Sequence, residues 1–303
     1  MDNKKVLVLG AAGMLGHVIF RELSQKDDLD VYGTVRSIEK LNLMQRVLKN
    51  SIFKDKIQQG IDADPPEAIQ EMIAVVKPDI VINCIGLIKQ APSGKEPLPN
   101  ITLNAQLPHK IAGYCKETNA RLIHVSTDCV FDGKKGNYSE DDFPSAKDYY
   151  GMTKYLGEVK YPHCITLRTS IIGHELETRL ALIDWFLGEE AQSVNGYTKA
   201  IYIGLPTVEL ANVIYKYVIP NSDLSGLYHV SSDPISKYDL LKLVAKQYKK
   251  NIEIIPDNQF FCDRSLNSSL FHEKTGYMPP GWPELVKKMH SHCINSGLYR
   301  HRM

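Results

Sequence analysis

Residues 6–16 read VLVLGAAGMLG, an apolar run followed by three glycines at a spacing of three residues. Gly10 can form the tight turn after a buried strand, and Gly13 allows a pyrophosphate to approach the backbone closely. Gly16 allows the helix that follows to pack tightly on the sheet. The amino terminus of that helix offers N–H groups and the positive end of its dipole to phosphates. The cofactor contacts predicted from this stretch are Gly10, Gly13, Met14, Leu15 and Gly16.

Strand-like and helix-like segments alternate from this stretch onward. The predicted strands are KVLVLG, DVYGTV, DIVINCIG, RLIHVST and CITLRTS, and the helix candidates lie near 14–25, 65–77, 104–118 and 148–160. Continuous apolar strands separated by helices are typical of a parallel sheet covered on both faces. With right-handed crossovers, this pattern predicts an α/β fold with a Rossmann-type doubly wound parallel sheet. The three glycines lie at the first strand–helix junction of this pattern. This position favours a nucleotide-binding loop over glycines that serve only to form a tight turn.

The chain is predicted to divide after residue 172. Residues 1–172 form the dinucleotide-binding Rossmann domain, and residues 173–303 form a smaller mixed α/β lobe that binds substrate. In this second half the rhythm is less regular, and helical patches such as KYDLLKLVAKQYKK alternate with short apolar strands. Segments near 204–235 can return to the Rossmann domain. The lobe is expected over the carboxyl ends of the sheet strands.

Composition narrows the function classes. The 36 basic and 35 acidic residues leave a formal net charge of +1, which predicts no nucleic-acid partner and no anionic membrane surface. The apolar run near the amino terminus is too short for a signal peptide or a membrane span, so a cytoplasmic protein is expected. Six cysteines without a CxxC pair predict neither disulfides nor a metal site. The HSHC stretch at 290–293 is interpreted as an exposed tail without function.

The end of the second strand bears on the type of cofactor. An NAD-binding site usually has an acidic residue there, whereas this chain has Gly33, Thr34 and Val35, followed by Arg36 and Ser37. A guanidinium can bind a 2′-phosphate through two parallel hydrogen bonds. NADPH is therefore predicted over NADH, with Arg36 and Ser37 as cofactor contacts. The alternative is that Arg36 is a solvated surface residue.

Two further strand ends supply predicted cofactor contacts. Asp62 and Ala63 are expected at the end of the third strand, where a side chain and backbone could meet the adenine, although Asp62 could instead cap the next helix. The fourth strand ends in VINCIG, where small groups allow a cofactor to lie close. The contacts predicted there are Cys84, Ile85 and Gly86.

The reaction centre is predicted at the carboxyl end of the fifth strand, at Ser126, Thr127 and Asp128. Tyr150 and Lys154 follow at positions i and i+4, which places both side chains on one face of a helix. A neighbouring ammonium and an oxidised nicotinamide both favour the phenolate, and would bring the tyrosine pKa toward the working pH that acid–base catalysis needs. Thr127 can hold the substrate oxygen, and Lys154 can hold the nicotinamide ribose. The same two residues, Tyr150 and Lys154, are thus also cofactor contacts.

Together these residues resemble the extended short-chain dehydrogenase/reductase superfamily, and within it the dTDP-4-dehydrorhamnose reductase branch. STDCVFDGKKGNYSEDDFPSAKDYYGMTKYLGE is similar to that branch's pattern, as are LRTSIIG, GLPTVELA and GLYHVSS, over about residues 4–235. The resemblance implies that Thr127, Tyr150 and Lys154 are the catalytic residues. It also implies hydride transfer from NAD(P)H to the 4-keto group of a nucleotide-linked 6-deoxysugar, for cell-surface polysaccharide precursors.

The chain departs from the branch where the substrate binds. Cys129 follows S-T-D where the branch usually has an aromatic residue, and CIGLIKQAPSGKEP replaces a small tyrosine-containing run. The predicted substrate contacts are Ser126, Thr127, Asp128, Tyr197 and Arg264. Arg264 is a candidate for the pyrophosphate because its planar fork suits phosphate oxygens, with a surface arginine as the alternative. Arg168 is interpreted as either a functional or a structural residue near a strand end.

Three other functions share these features. A nucleotide-sugar epimerase would recycle its nicotinamide, but such enzymes commonly keep a tightly held NAD, and the missing acidic residue weighs against it. Relatives of the branch act as regulatory subunits that bind NADP and a partner enzyme. A reductase of small ketones is the third possibility, disfavoured by the phosphate-compatible DRSLNSS segment. The predicted partners are a nucleotide-sugar substrate and a second copy of the chain in a homodimer.

Overall fold

A computed structural model describes residues 3–48, 55–89, 92–297 and 299. Its strands are, in chain order, Lys4–Leu9 (β1), Leu29–Thr34 (β2), Ile57–Gln58 (β3), Ile80–Asn83 (β4), Arg121–Thr127 (β5), Cys164–Thr169 (β6), Ile171–Ile172 (β7), Ser193–Tyr202 (β8), Leu205–Pro206 (β9), Gly226–His229 (β10), Ile235–Ser236 (β11) and Glu253–Asp263 (β12). Seven of them form one sheet in the order β10–β6–β5–β4–β1–β2–β3, with every pair parallel. This order confirms the predicted Rossmann-type α/β fold.

Helices connect these strands. They are Gly16–Leu23 (α1), Ile38–Leu48 (α2), Glu67–Val76 (α3), Pro97–Asn100 (α4), Leu107–Glu117 (α5), Tyr149–Leu156 (α6), Leu182–Gly188 (α7), Thr207–Val213 (α8), Lys237–Tyr248 (α9), Ser269–Thr275 (α10) and Trp282–Ser296 (α11). π-helical turns, Ile101–Gln106 and Ile214–Val218, precede α5 and follow α8. The four predicted helices correspond to α1, α3, α5 and α6. Among the described residues, no helix is long and apolar enough to cross a membrane.

Both faces of the central sheet are covered by apolar side chains. Successive residues of β1 point to opposite faces, so Leu7 and Leu9 pack with α3 and α5, whereas Val6 and Val8 pack with α1, α8 and α11. These four side chains are fully buried, whereas Lys4 and Lys5 at the start of β1 are exposed. Burial on two faces explains why the strands have continuous apolar sequences rather than alternating ones.

The prediction of an exposed tail at HSHC was wrong. These residues lie inside α11, whose apolar face packs on the core, and Cys293 is only 1% exposed. The sequence around HSHC lacks a long apolar run, but Leu285, Val286 and Met289 precede it at helical spacing and are buried with it.

The remaining strands form two small sheets. In one, β8 pairs with β12 in parallel and with β11 antiparallel, and α9 packs against β8. In the other, β7 pairs with β9. This is the smaller mixed sheet predicted for the second half of the chain, although the boundary at residue 172 stays a prediction. The strand β10 extends the central sheet beside β6. The carboxyl ends of β1, β4, β5 and β6 therefore lie along one edge.

Candidate functional site

A cleft of about 780 Å³ lies at that edge of the sheet. Its walls come from the segments that follow β1, β4, β5 and β6, together with residues of the second half of the chain such as Tyr202 and Arg264. Ligands of doubly wound sheets bind where the strand order reverses, which here is between β1 and β4. The cleft is thus where the fold would hold a dinucleotide.

The glycine turn between β1 and α1 forms one end of the cleft. Gly10 has a φ of +76°, a conformation that residues with a side chain rarely adopt, and a Cβ at Gly16 would lie 2.1 Å from the Gly10 carbonyl oxygen. Both glycines are therefore required by the turn itself. A Cβ at Gly13 would meet protein only at ordinary contact distance, 3.4 Å from the same oxygen, so close packing does not require this glycine. Gly13, Met14 and Leu15 line the cleft.

Cationic side chains stand at the end of β2. Arg36 is exposed and lines the cleft, as does Lys40 on the first turn of α2. Lys40 forms an ion pair with Glu177 from the opposite wall. Ser37 does not line the cleft, and its hydroxyl accepts a hydrogen bond from the Lys40 amide in the first turn of α2. The cleft end beside α2 thus has two cations, of which Lys40 is paired with a carboxylate.

The third strand is shorter than expected, because it ends at Gln58, four positions before Asp62. The Asp62 carboxylate accepts hydrogen bonds from the amides of Ala63 and Asp64, so it folds back on its own loop. It does not cap α3, whose N-cap is Pro66. Neither Asp62 nor Ala63 lines the cleft.

The segment after β4 lies close to α6. Cys84, Ile85 and Gly86, which are predicted cofactor contacts, all line the cleft. The amide of Ile85 donates to the Asn83 side-chain oxygen at 3.0 Å. A Cβ at Gly86 would lie 3.8 Å from Lys154 Nζ, so this backbone passes close to the lysine.

Thr127, Tyr150 and Lys154 lie along the same cleft. Thr127 ends β5, and its hydroxyl accepts a hydrogen bond from the Cys129 amide at 3.1 Å. Tyr150 and Lys154 lie on α6, and all three residues line the cleft. Asp148 caps this helix by accepting from the Gly151 amide at 2.9 Å, which fixes where α6 begins.

The two acid–base candidates have opposite pKa shifts. Burial, together with nearby Cys129 and Asp128, raises the pKa of Tyr150 above its ordinary value. A hydrogen bond with the Thr127 hydroxyl lowers this pKa, but by less. The i, i+4 spacing predicted a lowered pKa for Tyr150, but Lys154 Nζ is turned to the Val125 carbonyl oxygen at 2.9 Å and the effect of burial is larger. Burial lowers the pKa of Lys154 to about 8. At neutral pH the tyrosine is a neutral phenol and the lysine remains largely charged.

The predicted substrate residues differ in their placement. Asp128 and Arg264 line the cleft, and Arg264 Nε donates to the Phe131 carbonyl at 2.8 Å. Burial raises the pKa of Asp128, and the Arg264 guanidinium acts against this shift. Ser126 also lines the cleft, but its hydroxyl donates to Glu158 in the core at 2.7 Å.

Tyr197 is the predicted substrate residue that does not line the cleft. It lies in the middle of β8, and its ring packs on Phe260 of β12 with centroids 5.1 Å apart. Only the end of that strand reaches the cleft, through Ala200, Ile201 and Tyr202.

Lys40 lines the cleft and was not predicted from the sequence, and neither was Asn104, which supports the segment after β4 from behind the cleft. Asn104 is 1% exposed, and its side-chain oxygen accepts a hydrogen bond from the Leu87 amide at 3.0 Å. This bond connects the segment after β4 to the π-helical turn Ile101–Gln106. A polar residue inside an otherwise packed helical segment is the signal that could have found it. Lys40 could have been found by its place four residues after Arg36. Among the described residues, no group of three or more metal-ligating side chains comes together.

Comparisons with known proteins agree with this geometry. Residues 4–293 match the family model described as RmlD substrate binding domain. A dTDP-4-dehydrorhamnose reductase from Aggregatibacter actinomycetemcomitans is 25% identical, covering 95% of this chain and 99% of its own. The mouse methionine adenosyltransferase 2 subunit beta is 28% identical over 52% of this chain, which spans 42% of that protein's length. A dTDP-4-dehydrorhamnose reductase from Bacillus anthracis, solved in complex with NADP, has the same fold with a TM-score of 0.76 and 21% identity, covering 96% of this chain and 98% of its own.

Proposed function

Because the chain belongs to the RmlD substrate binding domain family, we propose that it is an NADPH-dependent reductase of a nucleotide-linked 4-keto-6-deoxysugar. The observation that carries this proposal is that Thr127, Tyr150 and Lys154 line the same cleft as the glycine turn. The full-length similarity to a dTDP-4-dehydrorhamnose reductase supports the same substrate class. The product would serve as a precursor of cell-surface polysaccharide.

The residues of the cleft fit a dinucleotide. The open side of Gly13 and the start of α1 suit its diphosphate, and Arg36 with Lys40 suits a 2′-phosphate. NADH, which lacks that phosphate, would use the same cleft more weakly. When bound, the reduced nicotinamide supplies the hydride that reduces the keto carbon. Lys154 would hold the ribose hydroxyls, with its ammonium already oriented by the Val125 carbonyl.

The proton comes from Tyr150. As hydride reaches the keto carbon, negative charge develops on its oxygen, and a neutral phenol can donate its proton there. The raised pKa of Tyr150 keeps that proton in place at neutral pH before the reaction. Thr127 donates its hydroxyl hydrogen to Asp128 Oδ1 at 3.2 Å, and would turn it to the substrate oxygen to fix the position of that oxygen. The positive charge of the oxidised nicotinamide would favour the phenolate that is left behind.

The rest of the substrate would lie toward the second half of the chain. Arg264 is oriented by its bond to the Phe131 carbonyl and can present its remaining N–H groups to a diphosphate. Asp128 can accept hydrogen bonds from sugar hydroxyls. Cys129 leaves more room beside Thr127 than an aromatic residue would.

The test follows NADPH absorbance with purified protein and a panel of nucleotide-linked 4-keto-6-deoxysugars that includes dTDP-4-dehydrorhamnose. We expect NADPH oxidation in stoichiometric amounts with at least one keto-sugar and none with the matching 4-hydroxy sugar. NADPH binding without oxidation by any member would contradict the reductase.

A second candidate is a binding subunit, which the similarity to methionine adenosyltransferase 2 subunit beta favours. Such a protein would bind NADP(H) and a partner enzyme without turnover. Stable co-purification with a larger enzyme, together with failure of the whole keto-sugar panel, would identify it. Turnover of a keto-sugar by the isolated chain would exclude it.

We also propose that the protein acts in the cytoplasm. All six cysteines are free thiols, which suits a reducing compartment. The homodimer stays a prediction, and sedimentation of the purified protein would test it.

A further inference from the structure

Beneath the glycine turn lies a buried polar cluster that the proposed chemistry does not use. Its centre is His17 on α1, which is 1% exposed. His17 Nδ1 lies 2.8 Å from the Gly13 carbonyl oxygen, and its Nε2 lies 2.5 Å from the hydroxyl of Tyr299. Tyr299 is 1% exposed and comes from the far end of the chain, 282 positions away. The cluster thus connects the segment around Tyr299 to the glycine turn.

The chemistry of the partners fixes the direction of both bonds. A carbonyl oxygen can only accept, so Nδ1 of His17 must carry the proton that it donates to Gly13. Burial lowers the pKa of His17 to about 3, so the ring is neutral and Nε2 has no proton. Nε2 therefore accepts, and Tyr299 donates its hydroxyl hydrogen. Removing that hydroxyl frees the imidazole to rotate or change tautomer, and either change breaks the bond to Gly13.

The Gly13 carbonyl has a second donor on the same side, because the His17 amide also donates to it at 3.0 Å. Two donors from α1 hold this oxygen away from the cleft. If the peptide rotated, a carbonyl oxygen could face the phosphates, where an acceptor repels negative charge. Gly13 has no side chain to limit such rotation, so the restraint has to come from its hydrogen bonds.

A second imidazole supports Tyr299. The Tyr299 ring packs on the imidazole of His174, with ring centroids 4.8 Å apart. His174 in turn bonds to Asp184 through Nδ1 at 2.6 Å and to the Tyr248 hydroxyl through Nε2 at 2.9 Å. The tyrosine is therefore held in place from the side opposite the turn.

We infer that Tyr299 is a positioning residue that acts through His17 to hold the Gly13 carbonyl away from the cleft, and so sets the affinity for the cofactor diphosphate. This inference rests on the proposed function, because it assumes that the glycine turn binds the cofactor. NADPH and NADH share the diphosphate, so both affinities depend on Tyr299 equally.

The experiment compares full-length Tyr299→Phe with wild type and with Tyr248→Phe. The control also loses a hydroxyl bonded to an imidazole Nε2 in this cluster, but not the bond to His17. Cofactor binding is measured by fluorescence titration, and thermal unfolding is followed alongside. We expect Tyr299→Phe to raise the dissociation constants of NADPH and NADH alike, by about three- to tenfold for one lost hydrogen bond. Tyr248→Phe should keep the wild-type constants.

The remaining outcomes distinguish a failure of this inference from a failure of the proposed function. Wild-type constants for Tyr299→Phe, or an equal loss in Tyr248→Phe, would overturn the inference and leave the reductase standing. Absence of cofactor binding by wild type would overturn the proposed function and the inference with it. If Tyr299→Phe does not fold, His17→Leu and His17→Asn replace it, since asparagine keeps a donor near the position of Nδ1. Weaker binding by the leucine variant and partial recovery by asparagine would support the inference, and wild-type binding by both would refute it.

Discussion

Arg168 and Glu158 form a two-pronged ion pair in the core, with Nε 2.9 Å from Oε1 and Nη2 2.6 Å from Oε2. Both side chains are only 1% exposed. The Ser126 hydroxyl also donates to Glu158, and Arg168 Nη1 lies 2.8 Å from His229 Nε2. The pair thus joins the segment after α6 to three neighbouring strands, β5, β6 and β10. This buried ion pair indicates that Arg168 has a structural role.

Loss of one partner of this pair should destabilise the fold severely. We expect Arg168→Met to lower the free energy of unfolding by about 3–5 kcal/mol, because it leaves a buried carboxylate without its cation. Urea denaturation of the purified variant measures this. The control is Lys287→Met, which breaks an exposed pair with Glu284 and should cost about 0.5 kcal/mol or less. Equal effects of the two variants would contradict a structural role for Arg168.

Lys154 should make the free energy of unfolding depend on pH in the alkaline range. Burial lowers its pKa from 10.5 to about 8, so between these values the unfolded chain binds the proton and the folded protein does not. Stability rises with pH wherever the unfolded state binds more protons. We therefore expect wild type to gain about 3 kcal/mol in free energy of unfolding relative to Lys154→Met between pH 8 and pH 10.5. Urea denaturation of both proteins across this range tests it, and a constant difference would refute the shift.

Arg36 should discriminate between the two cofactors. Only NADPH has a 2′-phosphate for its guanidinium, so Arg36→Ala should raise the dissociation constant of NADPH by about tenfold and leave that of NADH unchanged. Fluorescence titration with both cofactors measures the ratio, and NADH is the internal control. A parallel loss of both affinities would mean that the residue acts on the turn rather than on the phosphate.

Arg264 should give the complementary pattern. It lines the cleft from the second half of the chain, and its Nε bond to Phe131 orients the guanidinium. We expect Arg264→Gln to raise the KM for the nucleotide sugar by about tenfold, because a neutral amide replaces a charge-assisted contact with the diphosphate. The NADPH dissociation constant should not change. If the KM is unaffected, the arginine is a structural neighbour of Cys129.

Short-range patterns predicted the local structure around Thr127, Tyr150 and Lys154. The strand end at Thr127 and the i, i+4 spacing of Tyr150 and Lys154 depend only on local periodicity, and both appear in the structure. The glycine turn could be predicted for the same reason, since its requirements at Gly10 and Gly16 are contained in one strand–turn–helix unit.

What the sequence could not predict depends on contacts between distant segments. Ser126 is a predicted substrate contact and lines the cleft, but the bond from its hydroxyl to Glu158, 32 positions away, could not be predicted. Tyr197 was expected in the cleft, but its place in the middle of β8 follows from how far that strand extends before it reaches the site. The bond between His17 and Tyr299 spans nearly the whole chain. Periodicity carries no information on such pairs.

The most direct test of the reductase compares Tyr150→Phe with Tyr149→Phe in single-turnover NADPH oxidation with a keto-sugar substrate. Tyr149 is the matched control, because it precedes Tyr150 on the same helix but is 47% exposed and does not line the cleft. We expect Tyr150→Phe to bind NADPH normally and to lose about 10²–10⁴-fold in rate, as removal of a general acid does, while Tyr149→Phe reacts like wild type. Turnover by Tyr150→Phe at the wild-type rate, or an equal loss in Tyr149→Phe, would contradict the assignment of the proton donor.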